Sequence, residues 1–258
     1  LILGAAQFAV RFRPKRDDET SPIVCHVIGS VGTGGAQRQL FEYLRADREI
    51  EFDTRLFVLF DDNRAFFELI RKAGVRATIL SSELSKSFLG RISFEFLPNM
   101  SVGVKLWQSL RKLNPICTYG WLLSANVVSA VAASFAGVPR VVISERTLNA
   151  WKVGPPLGAW WYRPADRSSA RLADRIVTNS EAAAEDFAVW AGVDRDNVLV
   201  IPNGFDIPRL RALPTRDVRS ELGVHPSEAL ILTVGRLSPE KNQIALIDLA
   251  VELRHRNR

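Results

Sequence analysis

Residues 27–40 read VIGSVGTGGAQRQL. A short apolar run, Ile23–Ile28, leads into this glycine cluster, and a periodic, helix-like segment, Gln37–Arg48, leaves it. A strand that ends in glycines and opens a helix aims several backbone N–H groups at one point, where an anion, above all a phosphate, is favoured. What this loop serves depends on what is built around it.

The same alternation continues on both sides. Strand-length apolar runs fall at Ile23–Ile28, Arg55–Phe60, Arg76–Leu80, Ile116–Tyr119, Arg140–Ser144, Arg175–Asn179 and Asn197–Ile201. Helix-like segments, Gln37–Arg48, Asn63–Ala73, Val102–Leu113 and Glu181–Ala191, lie between them. The strand runs are continuous in their hydrophobicity, as in parallel sheets covered on both faces. This pattern predicts a doubly wound α/β domain that binds ligands at the carboxyl ends of its strands. The uncharged run Trp121–Val138 approaches the length of a membrane span. It carries Ser124, Asn126, Ser129 and Ser134 and ends in Gly137-Val138-Pro139, which predicts a buried helix between two strands.

The chain divides by pattern into a flexible lead-in (1–21), a main domain (22–207), a proline-bearing link (208–228) and a final segment (229–258). That last segment offers one strand, Ala229–Val234, and one helix, Asn242–Arg254. So short a piece cannot bury a core, since independent domains below about 40 residues usually need disulfides or metals. It reads as the opening βα unit of a truncated second domain.

Composition narrows the class. The chain has 258 residues, 47% hydrophobic and 24% charged, so it can bury a core. A net charge of +6 fits anionic partners such as a nucleotide, a membrane surface or nucleic acid, and equally fits a basic surface with no such role. Cys25 and Cys117 lie in strand-like runs and read as buried, reduced thiols. The opening LILGAAQFAV is too short to cross a bilayer, and no signal-peptide or lipidation pattern is seen. No His/Cys/Asp cluster has metal-ligand spacing, so no metal is expected.

Three phosphate loops fit the glycine cluster. A P-loop needs Lys and Ser/Thr after its last glycine; Gly29 and Gly34 have the spacing, but Gly35-Ala36 follow, which removes the phosphate cation and the magnesium ligand. A dinucleotide fingerprint matches at Gly32 and Gly34, yet Gln37 stands at the third glycine; Asp61 and Asp62 keep a ribose contact open. The third kind presents its N–H groups and helix dipole directly to a phosphate or substrate. A tight turn that needs glycine only for its conformation is the plain alternative.

Further phrases stand in register with the loop: GTGGAQRQL, AGVPRVVISER, ADRIVTNSEA, VLVIPNGFD and VGRLSPEKN. Together they resemble family 4 of the retaining glycosyltransferases, from about Ile23 to the C-terminus. The resemblance implies a GT-B fold: a Rossmann-like N-terminal domain for the acceptor, facing a second Rossmann-like domain for the nucleotide-sugar. It implies transfer from a nucleotide-diphosphate sugar to a glycan or lipid-linked acceptor, in envelope polysaccharide or glycolipid synthesis. The expected place is the cytoplasm, at the inner face of the membrane, with no nucleic-acid partner and no cofactor beyond the nucleotide-sugar co-substrate. A fragment of this extent is expected to be inactive alone. Other readings of the same folds are a nucleotide-sugar epimerase, an NAD-dependent oxidoreductase and a non-catalytic scaffold.

On this resemblance Gly34 and Gly35 bring backbone close to the donor diphosphate and acceptor. Arg236 and Lys241 match the basic pair that neutralises the leaving diphosphate, or else are solvated cations. Glu145 and Arg146 stand on the acceptor side, with a surface ion pair as the alternative. Asn203 and Gly204 match the end of the last N-domain strand, near the hinge. Family members often carry a histidine after the fourth strand; here Trp121 takes that position and is expected to line the acceptor-side cleft, while His26 reads as a core residue. Trp151, Trp160, Trp161 and Tyr162 beside Arg163 and Arg167 suit either a membrane interface or packing against the core.

Overall fold

The computed structural model describes residues 21–32, 34–46, 52–60, 64–81, 97–148, 161–235, 237 and 241–256, with backbone alone at 64–66 and 97–100. Seven strands form one all-parallel sheet: β1 Ile23–Ile28, β2 Asp53–Phe60, β3 Arg76–Ser81, β4 Cys117–Trp121, β5 Val141–Glu145, β6 Arg175–Thr178 and β7 Val198–Val200. The helices between them are α1 Gly35–Ala46, α2 Arg64–Lys72, α3 Leu97–Leu113, α4 Leu123–Ala136, α5 Tyr162–Leu172 and α6 Glu181–Ala191. The seven strands predicted for residues 22–207 are all present, with ends shifted by no more than a residue or two.

Strand order is β3-β2-β1-β4-β5-β6-β7. The chain winds outward from β1 through β2 to β3, then crosses back to β4 and winds the other way. Because parallel crossovers keep one hand, this reversal puts the two sets of helices on opposite faces. On one face Leu40 and Leu44 of α1 and Phe67 and Ile70 of α2 pack on Ile28, Leu56 and Val58. On the other, Val102, Leu106 and Leu110 of α3 join Ala125 and Ala133 of α4 and Phe187 of α6 over Cys25, Val27, Phe57, Leu59 and Ile143. The uncharged run is thus the buried α4, rich in alanine and serine, and it ends at Gly137 in the left-handed conformation (φ 74°). Among the described residues no helix is long and apolar enough to cross a membrane.

Both cysteines are free, and burial pushes each thiol up to about 12, so they stay protonated. The described part of the aromatic–arginine stretch packs on the protein. Arg163 donates to the carbonyl of Trp190 at 2.9 Å, and the Trp190 indole donates to Asp166 at 2.7 Å, so α5 is joined to α6. Trp151 and Trp160 lie outside the described residues.

The chain forms two compact units, Leu1–Phe205 and Asp206–Arg258. The second contains α7 Ile207–Arg211, α8 Val218–Leu222 and α9 Gln243–Arg256. The strand expected at Ala229–Val234 is not formed: residues 229–235 join no sheet. A strand holds its shape through a neighbour's N–H and C=O groups and through burial of a face. Here no described strand lies alongside, and Leu232 and Val234 are 77% and 90% exposed.

Candidate functional site

Parallel strands all end on one crest, and the order reverses between β1 and β4. Their following helices, α1 and α4, leave to opposite faces there, which opens a crevice at the strand ends. The register places Ile28, Trp121 and Ser144 side by side on β1, β4 and β5. Just beyond that row lie the glycine loop, Leu122 and Arg146.

The loop is pinned at its root, and at its helix end Gln37 covers Gly34, its Oε1 2.3 Å from a Cβ built there. Gly29 accepts from the Phe60 N–H at 2.9 Å. A Cβ on Gly29 would come within 2.7 Å of Ser124 Oγ, so the two connections touch at the switch point. Gly34 accepts from the Arg38 N–H at 3.1 Å as α1 opens. Around Gly35 a built Cβ meets nothing within 4 Å, and the first turn of α1 holds no acidic residue. The free N–H groups and dipole of this end favour an anion.

Beside the loop is an aromatic cluster on the α1 face. Trp121 is only 3% exposed, and its indole N–H donates to His26 Nδ1 at 3.1 Å. That bond assigns the His26 proton to Nε2. Tyr43 and Tyr119 flank the imidazole, with ring centroids at 4.9 and 5.3 Å. Burial lowers the His26 pKa to about 3, so this histidine is a neutral acceptor, in keeping with its expected core role. Over the outer side of Trp121 lies Arg146, its guanidinium carbon 4.7 Å from the ring centroid. Arg146 Nη1 donates to Asn203 Oδ1 at 2.8 Å, and Nε to Ser144 Oγ at 3.3 Å. Desolvation lowers its pKa and Tyr119 opposes that shift, yet a guanidinium starts so high that it stays charged.

Two side-chain amides brace this crest. Asn126 of α4 donates to the Ser144 carbonyl and accepts from the Ser144 N–H, both at 3.1 Å. Gln39 of α1 does the same for Gly204, at 3.1 and 2.9 Å, and so ties the exit of β7 to α1. Between β4 and α4 the backbone is strained. Leu122 adopts φ 70° and ψ 165°, a region suited to glycine, while its N–H donates to the Ser144 carbonyl and its own carbonyl accepts from Asn126. Strain of this kind costs about 1–3 kcal/mol and is commonly found at binding sites.

The structure therefore brings Trp121, Arg146 and Asn203 into direct contact and links Gly204 to the helix that Gly34 and Gly35 begin. Glu145 is separated from them. It is 1% exposed, and alternation along β5 turns it to the other face of the sheet. There Oε1 accepts from the Arg146 N–H at 3.1 Å and from Thr147 Oγ1 at 3.0 Å. Lys241 belongs to the second unit and is exposed; its Cγ lies 3.6 Å from a Cβ built on Gly235. Arg236 lies outside the described residues. Gln39, Asn126, Ser144 and the acceptor role of His26 are the residues that sequence reasoning missed. Their one signal is a polar side chain at a position whose period points inward, since buried polar groups find partners. Among the described residues, no three His, Cys, Asp or Glu side chains are grouped as metal ligands.

Comparison with known proteins agrees with this architecture. The chain is similar to the D-inositol 3-phosphate glycosyltransferase of Nocardia farcinica, 38% identical over 85 residues, covering 33% of this chain and 19% of that protein. A second such enzyme, from Catenulispora acidiphila, is 33% identical over 81 residues, with 31% and 19% covered. The match thus spans about a fifth of the curated relatives' length. Among solved structures, Anabaena HepE in complex with UDP and glucose superposes with TM-score 0.63 at 21% identity, over 90% of this chain and 58% of that one. A glycosyltransferase from Rickettsia africae gives 0.61 at 13% identity, over 91% and 58%. A UDP-N-acetylglucosamine 2-epimerase from Listeria monocytogenes gives 0.58 at 13%, over 80% and 52%. The fold is the α/β, GT-B type that such transferases and epimerases share. A sequence model described as Glycosyltransferase Family 4 matches residues 33–209, the glycine loop through the exit of β7, and the chain belongs to that family.

Proposed function

We propose that this chain supplies the acceptor side of a retaining, nucleotide-sugar-dependent glycosyltransferase. The reaction moves a sugar from a nucleoside-diphosphate donor to a glycan or lipid-linked acceptor in cell-envelope polysaccharide or glycolipid synthesis, at the cytoplasmic face of the membrane. One observation carries this reading: at the switch point of a family 4 domain, Arg146 lies over buried Trp121 and donates to Asn203. A crest of this kind holds a hydroxylated substrate by hydrogen bonds while its stacked aromatic floor excludes water.

Arg236 and Lys241 are assigned to the donor's leaving diphosphate. As the glycosidic bond breaks, negative charge builds on that group, and fixed cations stabilise the change without a metal. Loss of one such group costs on the order of 3–4 kcal/mol, a hundredfold or more in rate. In the polypeptide that carries residues 1–258, Arg236→Ala and Lys241→Ala should each lower kcat by about that factor. Both should weaken binding of a nucleoside diphosphate more than of the nucleoside. Near-normal rates and unchanged diphosphate affinity would overturn the assignment. The reading as a whole is tested by supplying labelled nucleotide-sugars with glycan and glycolipid acceptors. Transfer with the donor's anomeric configuration kept is expected; an epimerised nucleotide-sugar with no transfer would favour the epimerase that shares the fold.

A further inference from the structure

About 18 Å along α4 from the crest, the helix layer turns apolar side chains to water. Phe135 of α4 is 78% exposed, and Val131, one turn before it, is exposed as well. Beside them on α3, Val104 is exposed and Trp107 half-buried. The Trp107 indole N–H donates to the Phe135 carbonyl at 3.3 Å, which joins the two helices at this point. Both helices return against the strands, so they run side by side in one direction. Val104 and Val131 each stand one turn before the joint, and the four side chains make a continuous ridge.

Cations edge the ridge. The Arg111 guanidinium carbon lies 5.6 Å from the Trp107 ring centroid, and Lys112 next to it is exposed. Lys105, the neighbour of Val104, donates to the Leu80 carbonyl at 3.0 Å. From Leu97 to Ser144 the sequence contains no Asp or Glu. Among the described residues no carboxylate forms an ion pair with Lys105, Arg111 or Lys112. Aromatic and aliphatic side chains edged by unanswered cations match a surface that is anionic at its face and apolar beneath. A second copy is a poor match. A two-fold contact through this face would set the cations against one another, with no acid on either helix to meet them.

We propose that the α3–α4 ridge docks this chain on an anionic lipid bilayer. Phe135 and Val131 enter the interface, and Arg111 and Lys112 meet the headgroups. The proposal deepens the membrane-face reading above by naming the surface that makes the contact, and rests on that reading only for the presence of a bilayer.

The test is flotation of the 258-residue chain with vesicles of phosphatidylcholine, alone or with about one-third phosphatidylglycerol. Bound chain rises with the vesicles, whereas aggregates sink. Binding to the anionic vesicles about tenfold stronger than to the neutral ones, and weakened by salt, is expected. Phe135→Ser and the double variant Arg111→Gln/Lys112→Gln should each lower it about tenfold. Val234→Ser, in the exposed apolar segment of the second unit, should leave it unchanged. Circular dichroism checks each fold; if Phe135→Ser does not fold, the double variant carries the comparison. Absence of flotation, wild-type flotation of the folded ridge variants, or an equal loss in Val234→Ser overturns the proposal. So does a dimer in sedimentation velocity that Phe135→Ser abolishes while the wild type ignores vesicles, which gives the face to a second copy. Vesicle binding uses no donor. A chain that floats but never transfers sinks only the reaction, and a transferase that never floats sinks this docking face alone.

Discussion

Trp121, at the end of β4, takes its hydrogen bond inward. Its indole N–H satisfies His26 Nδ1, and its outer face carries Arg146. Trp121→Phe removes a buried donor and leaves His26 Nδ1 without one, which costs about 1–3 kcal/mol. For a chain of this size that lowers Tm by about 2–4 °C per kcal/mol. Thermal unfolding followed by circular dichroism should show the drop, and an unchanged Tm would contradict the buried bond. His26 makes a second prediction, of pH dependence. Unfolded histidine titrates near 6.5, whereas the buried ring titrates at about 3. Between those values the unfolded chain binds one more proton than the native one, so stability falls as pH falls, by about 1.4 kcal/mol per pH unit. Above pH 6.5 both states are neutral and the effect vanishes. Urea unfolding at pH 7 and pH 5 should show about 2 kcal/mol more acid loss in the wild type than in His26→Gln. Equal losses would clear His26. Sequence marked Trp121, Arg146 and Asn203 singly, by their places after strand ends. It did not show that they touch, because Trp121–His26 and Arg146–Asn203 join residues 95 and 57 apart, and no local period encodes such pairs.

The joint between β4 and α4 does at the element scale what those bonds do at the residue scale. Gly120 lies where α4 crosses its strand, and a Cβ there would come within 2.5 Å of Ser129 Oγ and 2.9 Å of Asn126 Cα. The hydroxyl can turn away, but the backbone of a packed helix cannot. Gly120→Ala should therefore cost about 1–3 kcal/mol, the usual range for overpacking, and should loosen the Asn126–Ser144 pairing. Amide exchange at Ser144 would report this; protection as in the wild type would mean that α4 shifts freely. Strands were legible because parallel strands covered on both faces show as unbroken apolar runs. Helix α5 was not: its sequence, YRPADRSSARL, carries proline and several polar residues, and burial of Asp166, Ser169 and Ala170 replaces the usual apolar stripe. Ala229–Val234 failed the other way. Local sequence has the strand preference, but a strand exists only with a partner.

At the scale of the whole molecule the two compact units differ in how they treat apolar surface. The first buries its large side chains on both faces of the sheet. The second leaves Leu232, Val234 and Leu237 at 77%, 90% and 92% exposure, together with Ile244 and Ile247. Such residues beside unpaired extended backbone favour association. A chain ending at Phe205 should scatter less light at equal concentration than the 258-residue chain; equal scattering would place the sticky surface in the first unit. The strand order has a further consequence, in time. β1 and β4 lie side by side at the centre, yet among the described residues two strands and three helices separate them in sequence. The bonds that complete the crest span 95 residues at Trp121–His26 and 165 at Gln39–Gly204. Distant pairings close slowly, and a chain leaving the ribosome has no β4 to offer β1 until most of the domain is made. The crest at the strand ends is thus among the last parts of the first unit to form.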